Sequence, residues 1–198
     1  LWKLRDTTGD GKADKREVVA HGFGVHIAYA GHDMHGLTLG PDGRIYWSIG
    51  DKGVNVTSKE EKNFFAPHEG AILRCYPDGS GFEIFARGLR NPQEIAFDQY
   101  GNIFSVDNDS DRKGERERFL HITEGSDTGW RNYYQYRSPD YNPWMAENIW
   151  EPSGEFQPAY ITPTNANYTD GPAGFAFNPG TALNEKYHNA FFVTEFPK

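Results

Sequence analysis

A short pattern occurs twice in this chain, and it limits the possible folds more than anything else in the sequence. LTLGPDGRIYWSIGD at 37–51 and IAFDQYGNIFSVDND at 95–109 share length, turn position and a closing aspartate region, 58 residues apart. In the first copy Leu37 and Leu39, then Ile45, Trp47 and Ile49, alternate with other residues on either side of Gly40-Pro41-Asp42-Gly43. Period-two alternation about such a turn encodes an antiparallel β-hairpin. A third copy with a longer turn lies at 175–196. The runs 70–76 and 81–87 flank Pro77-Asp78-Gly79 and read as an outer hairpin. Small antiparallel sheets repeated at this spacing predict the blades of a β-propeller. The chain, 1–198, then reads as a single partial all-β propeller domain, a fragment of a longer chain with about two complete blades and halves of others.

Composition agrees and narrows the function classes. Aromatic residues make up 15% of the chain, with 22 glycines and 12 prolines to punctuate them. Aromatic strands separated by turn formers are typical of an all-β meander. The formal charge of -8 and the absence of a large basic cluster argue against a nucleic-acid groove. No run of eighteen apolar residues is present, so no membrane span is expected in this stretch. The single cysteine, Cys75, excludes an internal disulfide and reads as a buried strand residue. Residues 55–68 read as a polar, charged loop, and 131–168, rich in Tyr, Trp, Pro and Asn, as a long insertion packed over a surface.

Two places carry candidate chemistry. An antiparallel hairpin brings the start of its first strand beside the end of its second, so His32 and His35 are expected near Asp51. A histidine oriented by a carboxylate is a general base at neutral pH; the plainer alternative is a histidine satisfied by turn carbonyls. The second place is the loop 6–17, which follows the twelve-residue calcium template. Asp6, Thr8, Asp10, Lys12 (through its carbonyl), Asp14 and Glu17 take the ligand positions, and Gly11 takes the turn position. Its strand-like flanks make it the loop of an EF-hand without the helices. A solvated turn is the alternative.

At GLRNPQEIAF (88–97) a family resemblance appears. Arg90-Asn91-Pro92-Gln93 before a hairpin, the upstream HxxxxLxxGPDGxIYxxIGDxG and the downstream Gly129-Trp130 resemble the soluble quinoprotein glucose/sorbosone dehydrogenases. The chain looks most like the planctomycete-type membrane-bound dehydrogenase propellers that continue into a c-type haem domain. The resemblance implies a six-bladed β-propeller of the TolB-like, glucose/sorbosone dehydrogenase-like kind. It implies pyrroloquinoline quinone (PQQ) and Ca2+ in the mouth, oxidation of a sugar or other alcohol, electron transfer to a c-type cytochrome, and a periplasmic or secreted location. Counting back from the GPDG turn, the family's base falls on His32 and its orienting aspartate on Asp51, with His35 the second choice. Arg90, Asn91 and Asn108 match cofactor contacts. Asp109 and Ser110 fall where carbonyls hold calcium, and the lengthened loop leaves Glu115 or Glu117 as the matching acid.

Two other functions stay open on the residues. One is a non-catalytic propeller that presents its mouth to a glycan or a partner domain. The other is a calcium-dependent lactone hydrolase, which needs carboxylates and amides such as Asp51, Asn108 and Asp170 converging on one ion. Arg90-Asn91-Pro92 could equally tie one blade to the next through main-chain hydrogen bonds.

Overall fold

A computed structural model describes residues 1–108, 117–148 and 171–196. Thirteen strands are found among them. A first hairpin pairs β1 (Trp2–Arg5) with β2 (Lys15–Val18). The first full sheet has the order β3-β4-β7-β8, from β3 (Met34–Leu39), β4 (Ile45–Ile49), β7 (Gly70–Cys75) and β8 (Glu83–Leu89). The second joins β9 (Pro92–Phe97), β10 (Ile103–Asp107) and β11 (Arg118–Ile122). The third joins β12 (Pro172–Asn178) and β13 (Ala190–Glu195). Each is an antiparallel meander, and the first strand of each lies against the first strand of the next: β3 on β9, and β9 on β12. Sheets joined at their leading strands are stacked as propeller blades.

The repeat in the sequence is a repeat in hydrogen-bond register. Leu39 pairs with Ile45, and at the same offset Phe97 pairs with Ile103. Each leading strand also carries an irregularity near its start: between His35 and Thr38, between Pro92 and Ile95, and between Pro172 and Phe175. A bulge at this point turns the strand and frees it from its partner. Gly36 has φ +58°, and a Cβ there would come within 2.8 Å of the Glu94 Cα. Only glycine lets β3 approach β9 so closely. Ser48 ties the same joint by donating to the Pro92 carbonyl at 2.7 Å.

Alternation assigns the two faces of each strand to two different cores. Trp47 and Ile49 of β4 face inward with Leu73 and Cys75 of β7. Tyr46 of β4 and Ile72 of β7 point the other way, onto Ile95, Ile103 and Leu120 of the second sheet. The opposite face of that sheet, with Val106 and Phe119, meets Phe175 and Phe191 of the third. Cys75 is a buried free thiol, and burial pushes its pKa up to about 11.

The segment 55–68 departs from the expected loop. It forms a hairpin, β5 (Val54–Thr57) with β6 (Asn63–Ala66), that covers the Trp47 face of the first sheet. Val54, Val56 and Ala66 are buried, while the charges of 59–62 occupy only the turn. Four residues per strand leave just two inward side chains, too few for periodicity to stand out beside a charged turn. Within 131–148 the chain forms short 3₁₀ turns (Asn132–Tyr136 and Pro139–Tyr141) and one helical turn, α1 (Pro143–Ala146). Trp144, Tyr134 and Met145 pack there around Trp130; the rest of the expected insertion, 149–168, lies outside the described residues.

Candidate active site

His32, Asp51, Arg90, Asn91 and Asn108 lie at one end of the blades, where chain segments enter and leave the leading strands. His32 precedes β3 and Asp51 follows β4, so the β3–β4 pairing sets them side by side. Arg90 and Asn91 form the crossing from β8 to β9, and Asn108 follows β10. Backbone bonds stitch these segments together. The Asp51 N–H donates to the Arg90 carbonyl at 2.7 Å, and the Asn108 N–H to the Asn91 carbonyl at 3.2 Å.

Asp51 Oδ1 lies 2.6 Å from His32 Nδ1, and both side chains are buried. Its Oδ2 accepts the Trp130 indole N–H at 3.1 Å. An indole nitrogen only donates, so Oδ2 is an acceptor. With the carboxylate ionised, Nδ1 carries the ring proton and Nε2 of the neutral imidazole keeps its lone pair. Hydrogen bonds to a buried charged group are worth about 1.5–3 kcal/mol each. His35, by contrast, directs its Nε2 to the Gly31 carbonyl at 2.7 Å and takes no part in the pair.

Arg90 completes the group. Its guanidinium lies 5.7 Å from the Tyr29 ring centre and 5.8 Å from that of Trp130. Nη1 donates to the Asn108 carbonyl at 2.7 Å and to its side-chain oxygen at 3.1 Å. Tyr29 in turn meets the His32 ring edge to face, with centres 5.8 Å apart. His32, Asp51, Trp130, Arg90 and Tyr29 therefore form a closed circuit of contacts. Asn91 lies beside it: its buried Oδ1 has no hydrogen-bond partner among the described residues, and it sits with His32 against Gly50.

A second carboxylate fixes the crossing from behind. Asp107, fully buried at the end of β10, accepts the backbone N–H groups of both Arg90 and Asn91. Arg118 donates to it at 2.6 Å and stacks on Trp144. The main-chain tie at Arg90-Asn91-Pro92 and the side-chain placement of Arg90 thus occur together. Beyond it, Glu69, Arg131, Asp127 and Arg87 form an ion-pair cluster. Burial pushes the Glu69 carboxyl up. At Asp127 burial acts the same way but is outweighed by the Arg131 guanidinium and the Gly129 N–H, which hold its carboxyl low.

The loop 6–17 is organised from within. Asp6 accepts the N–H groups of Gly11, Gly9 and Thr8, which hold its carboxyl below the usual carboxylate range. Asp14 accepts the Thr7 hydroxyl and N–H, with the same effect. Asp10 accepts the Lys12 N–H, and Glu17 stands in β2 opposite Lys3. Among the described residues, no three of His, Cys, Asp and Glu are grouped to hold a metal ion. Asp109, Ser110, Glu115 and Asp170 lie outside the described residues. Each Asp51 oxygen already has a hydrogen-bonding partner, His32 on Oδ1 and Trp130 on Oδ2.

The sequence pattern missed Trp130 as a partner of Asp51, Tyr29 as the cover of His32 and Arg90, and Asp107 as the anchor of the crossing. Gly129-Trp130 stood out only as part of a family pattern, since nothing local in it points 79 residues back to Asp51.

The profile of the family described as "Domain of unknown function (DUF7133)" matches residues 1–197. Quinoprotein glucose dehydrogenase B of Acinetobacter calcoaceticus is 28% identical over 132 residues, covering 54% of this chain and 27% of that protein. The chain thus spans about a quarter of the length of that relative. The PQQ-bound aldose sugar dehydrogenase of Streptomyces coelicolor superposes with a TM-score of 0.47 at 20% identity, over 82% of this chain and 49% of that one. An oxidoreductase (glucose dehydrogenase) from Thermus thermophilus gives 0.45 at 19% identity, over 78% and 45%.

Proposed function

The chain belongs to the DUF7133 family, and we propose that it forms part of a six-bladed propeller that oxidises the hydroxyl of a sugar or other alcohol with PQQ. The observation that carries this reading is the 2.6 Å contact between His32 and Asp51 in one circuit with Arg90. Similarity to a quinoprotein glucose dehydrogenase supports the reaction class.

The chain's own residues have separable tasks. Asp51 keeps the proton on Nδ1 of His32, so Nε2 is the atom that takes the substrate's hydroxyl proton. The donors beside it suit a planar polyanion: Arg90 supplies a buried cation, and the side-chain NH2 groups of Asn108 and Asn91 supply hydrogen bonds. Arg90, Asn91 and Asn108 would hold PQQ, which when bound supplies an ortho-quinone that accepts two electrons from the alcohol carbon. Ca2+ would sit at Asp109 and Ser110, and a second Ca2+ in the loop 6–17. Electrons would leave to a c-type cytochrome domain, in the periplasm or outside the cell, as in the planctomycete-type dehydrogenases.

The test is made on the full-length protein with PQQ and Ca2+. Quinone absorbance and dye-linked sugar oxidation are expected, and His32→Ala abolishes the oxidation in a protein that still folds and binds PQQ, with a lower melting temperature because the buried Asp51 loses a partner. Failure to bind PQQ with Ca2+ present ends the proposal. A second reading, a glycan-binding propeller without turnover, is favoured by the burial of His32 and Arg90, which are 4% and 2% exposed. It predicts glycan binding that survives His32→Ala.

A further inference from the structure

We propose that Trp130 is the positioning residue of the His32–Asp51 pair, its indole N–H holding the Asp51 carboxylate in the rotation that keeps a proton on His32 Nδ1. This rests on His32 being the base, but its principal readout needs no turnover.

The argument starts from the freedom of a carboxylate. Rotation about its last bond is broad and two-fold, so burial alone does not set its angle. Something must hold the second oxygen while the first faces His32. Trp130 Nε1 reaches Oδ2 at 3.1 Å, and Gln135 Nε2 at 3.4 Å, near the limit of a hydrogen bond. A glutamine amide can present either end, and an indole cannot.

Trp130 is itself well fixed. Its backbone N–H donates to the Gly88 carbonyl at 2.8 Å, and its ring meets Trp144 at 5.0 Å and 85°. Trp144 carries Arg118, Arg118 grips Asp107, and Asp107 holds the Arg90 and Asn91 N–H groups. One indole therefore joins the candidate base to the candidate cofactor contacts: its edge bonds Asp51 and its ring lies beside Arg90.

The test uses the full-length protein with histidine labelled at both ring nitrogens, His32 being assigned by the signal lost in His32→Gln. In the unaltered protein His32 shows the Nδ1–H tautomer and a downfield, slowly exchanging proton. In Trp130→Phe that proton is lost to exchange and the tautomers mix. In Asp51→Asn, adding Trp130→Phe changes the His32 signals no further, as expected if Trp130 acts through Asp51. If oxidation is present, kcat falls roughly tenfold and KM stays within about twofold. Should Trp130→Phe fail to fold, benzothienylalanine at position 130 keeps the ring and removes only the N–H. Retention of the tautomer and of the slow proton in a folded variant lacking that N–H overturns the proposal. The same signals in a protein without oxidation would leave it standing while the dehydrogenase reading fell.

Discussion

His32 Nδ1 and Asp51 Oδ1 stand 2.6 Å apart although 19 residues separate them in the chain. The turn at Gly40–Gly43 and the β3–β4 pairing produce this contact, so the pair belongs to the hairpin and does not depend on a flexible loop. Replacing Asp51 by Asn keeps the shape but offers His32 a group that can donate as well as accept. The wrong tautomer then becomes available. Asp51→Asn is expected to lower kcat for alcohol oxidation by roughly 10²–10⁴-fold. Steady-state kinetics on the full-length holoprotein measure it, and a kcat unchanged within about threefold would count against Asp51 as the orienting group.

The joint between the first and second sheets depends on Gly36. Gly36→Ala meets the Glu94 backbone and also needs a left-handed backbone at an L-residue. Gly43→Ala has a similar φ, +77°, but nothing within 4 Å of the new Cβ. The Gly43 change should therefore cost about 1 kcal/mol, and the Gly36 change clearly more. Urea unfolding of the two variants side by side decides this; equal losses would mean that β3 can move away from β9 freely.

The pH dependence of stability should carry a component from Asp127. Its carboxyl is held below the ordinary aspartate value of 3.8, despite burial, by Arg131 and the Gly129 N–H. A lowered pKa in the folded state means the unfolded chain binds the proton more readily. Stability from Asp127 is thus present above pH 3.8 and lost as pH falls through the folded value. Asp127→Asn should lower stability at neutral pH and flatten the loss at acid pH. Thermal melts of both proteins from about pH 3 to about pH 7 would show it as curves that converge on the acid side.

Calcium binding in the loop 6–17 would be seen as a rise in melting temperature. A ligand at about 100 times its dissociation constant stabilises by about 2.7 kcal/mol. Asp6→Asn removes a carboxylate from the first ligand position and should abolish most of the rise. The Asp6 oxygens already serve three backbone N–H groups, so the variant should also be less stable without calcium. A rise that persists in Asp6→Asn places the ion elsewhere.

The residues alone specified the elements whose determinants are local. Hairpin alternation and turn chemistry are short-range, so the repeats at 37–51, 95–109 and 175–196 were legible, and with them the all-β class. The pairing of His32 with Asp51 was legible for the same reason, because antiparallel strands about one turn must bring those ends together. Tertiary structure decided everything that depends on how one blade meets another. Trp130 on Asp51 and Tyr29 on Arg90 join segments far apart in the chain. No periodicity links such positions; the packing of Tyr46 and Ile72 onto Ile95 and Leu120 sets the sheets side by side and so brings these groups within reach. The β5–β6 hairpin shows the same limit, since its two inward residues per strand acquire meaning only once the Trp47 face is there to be covered.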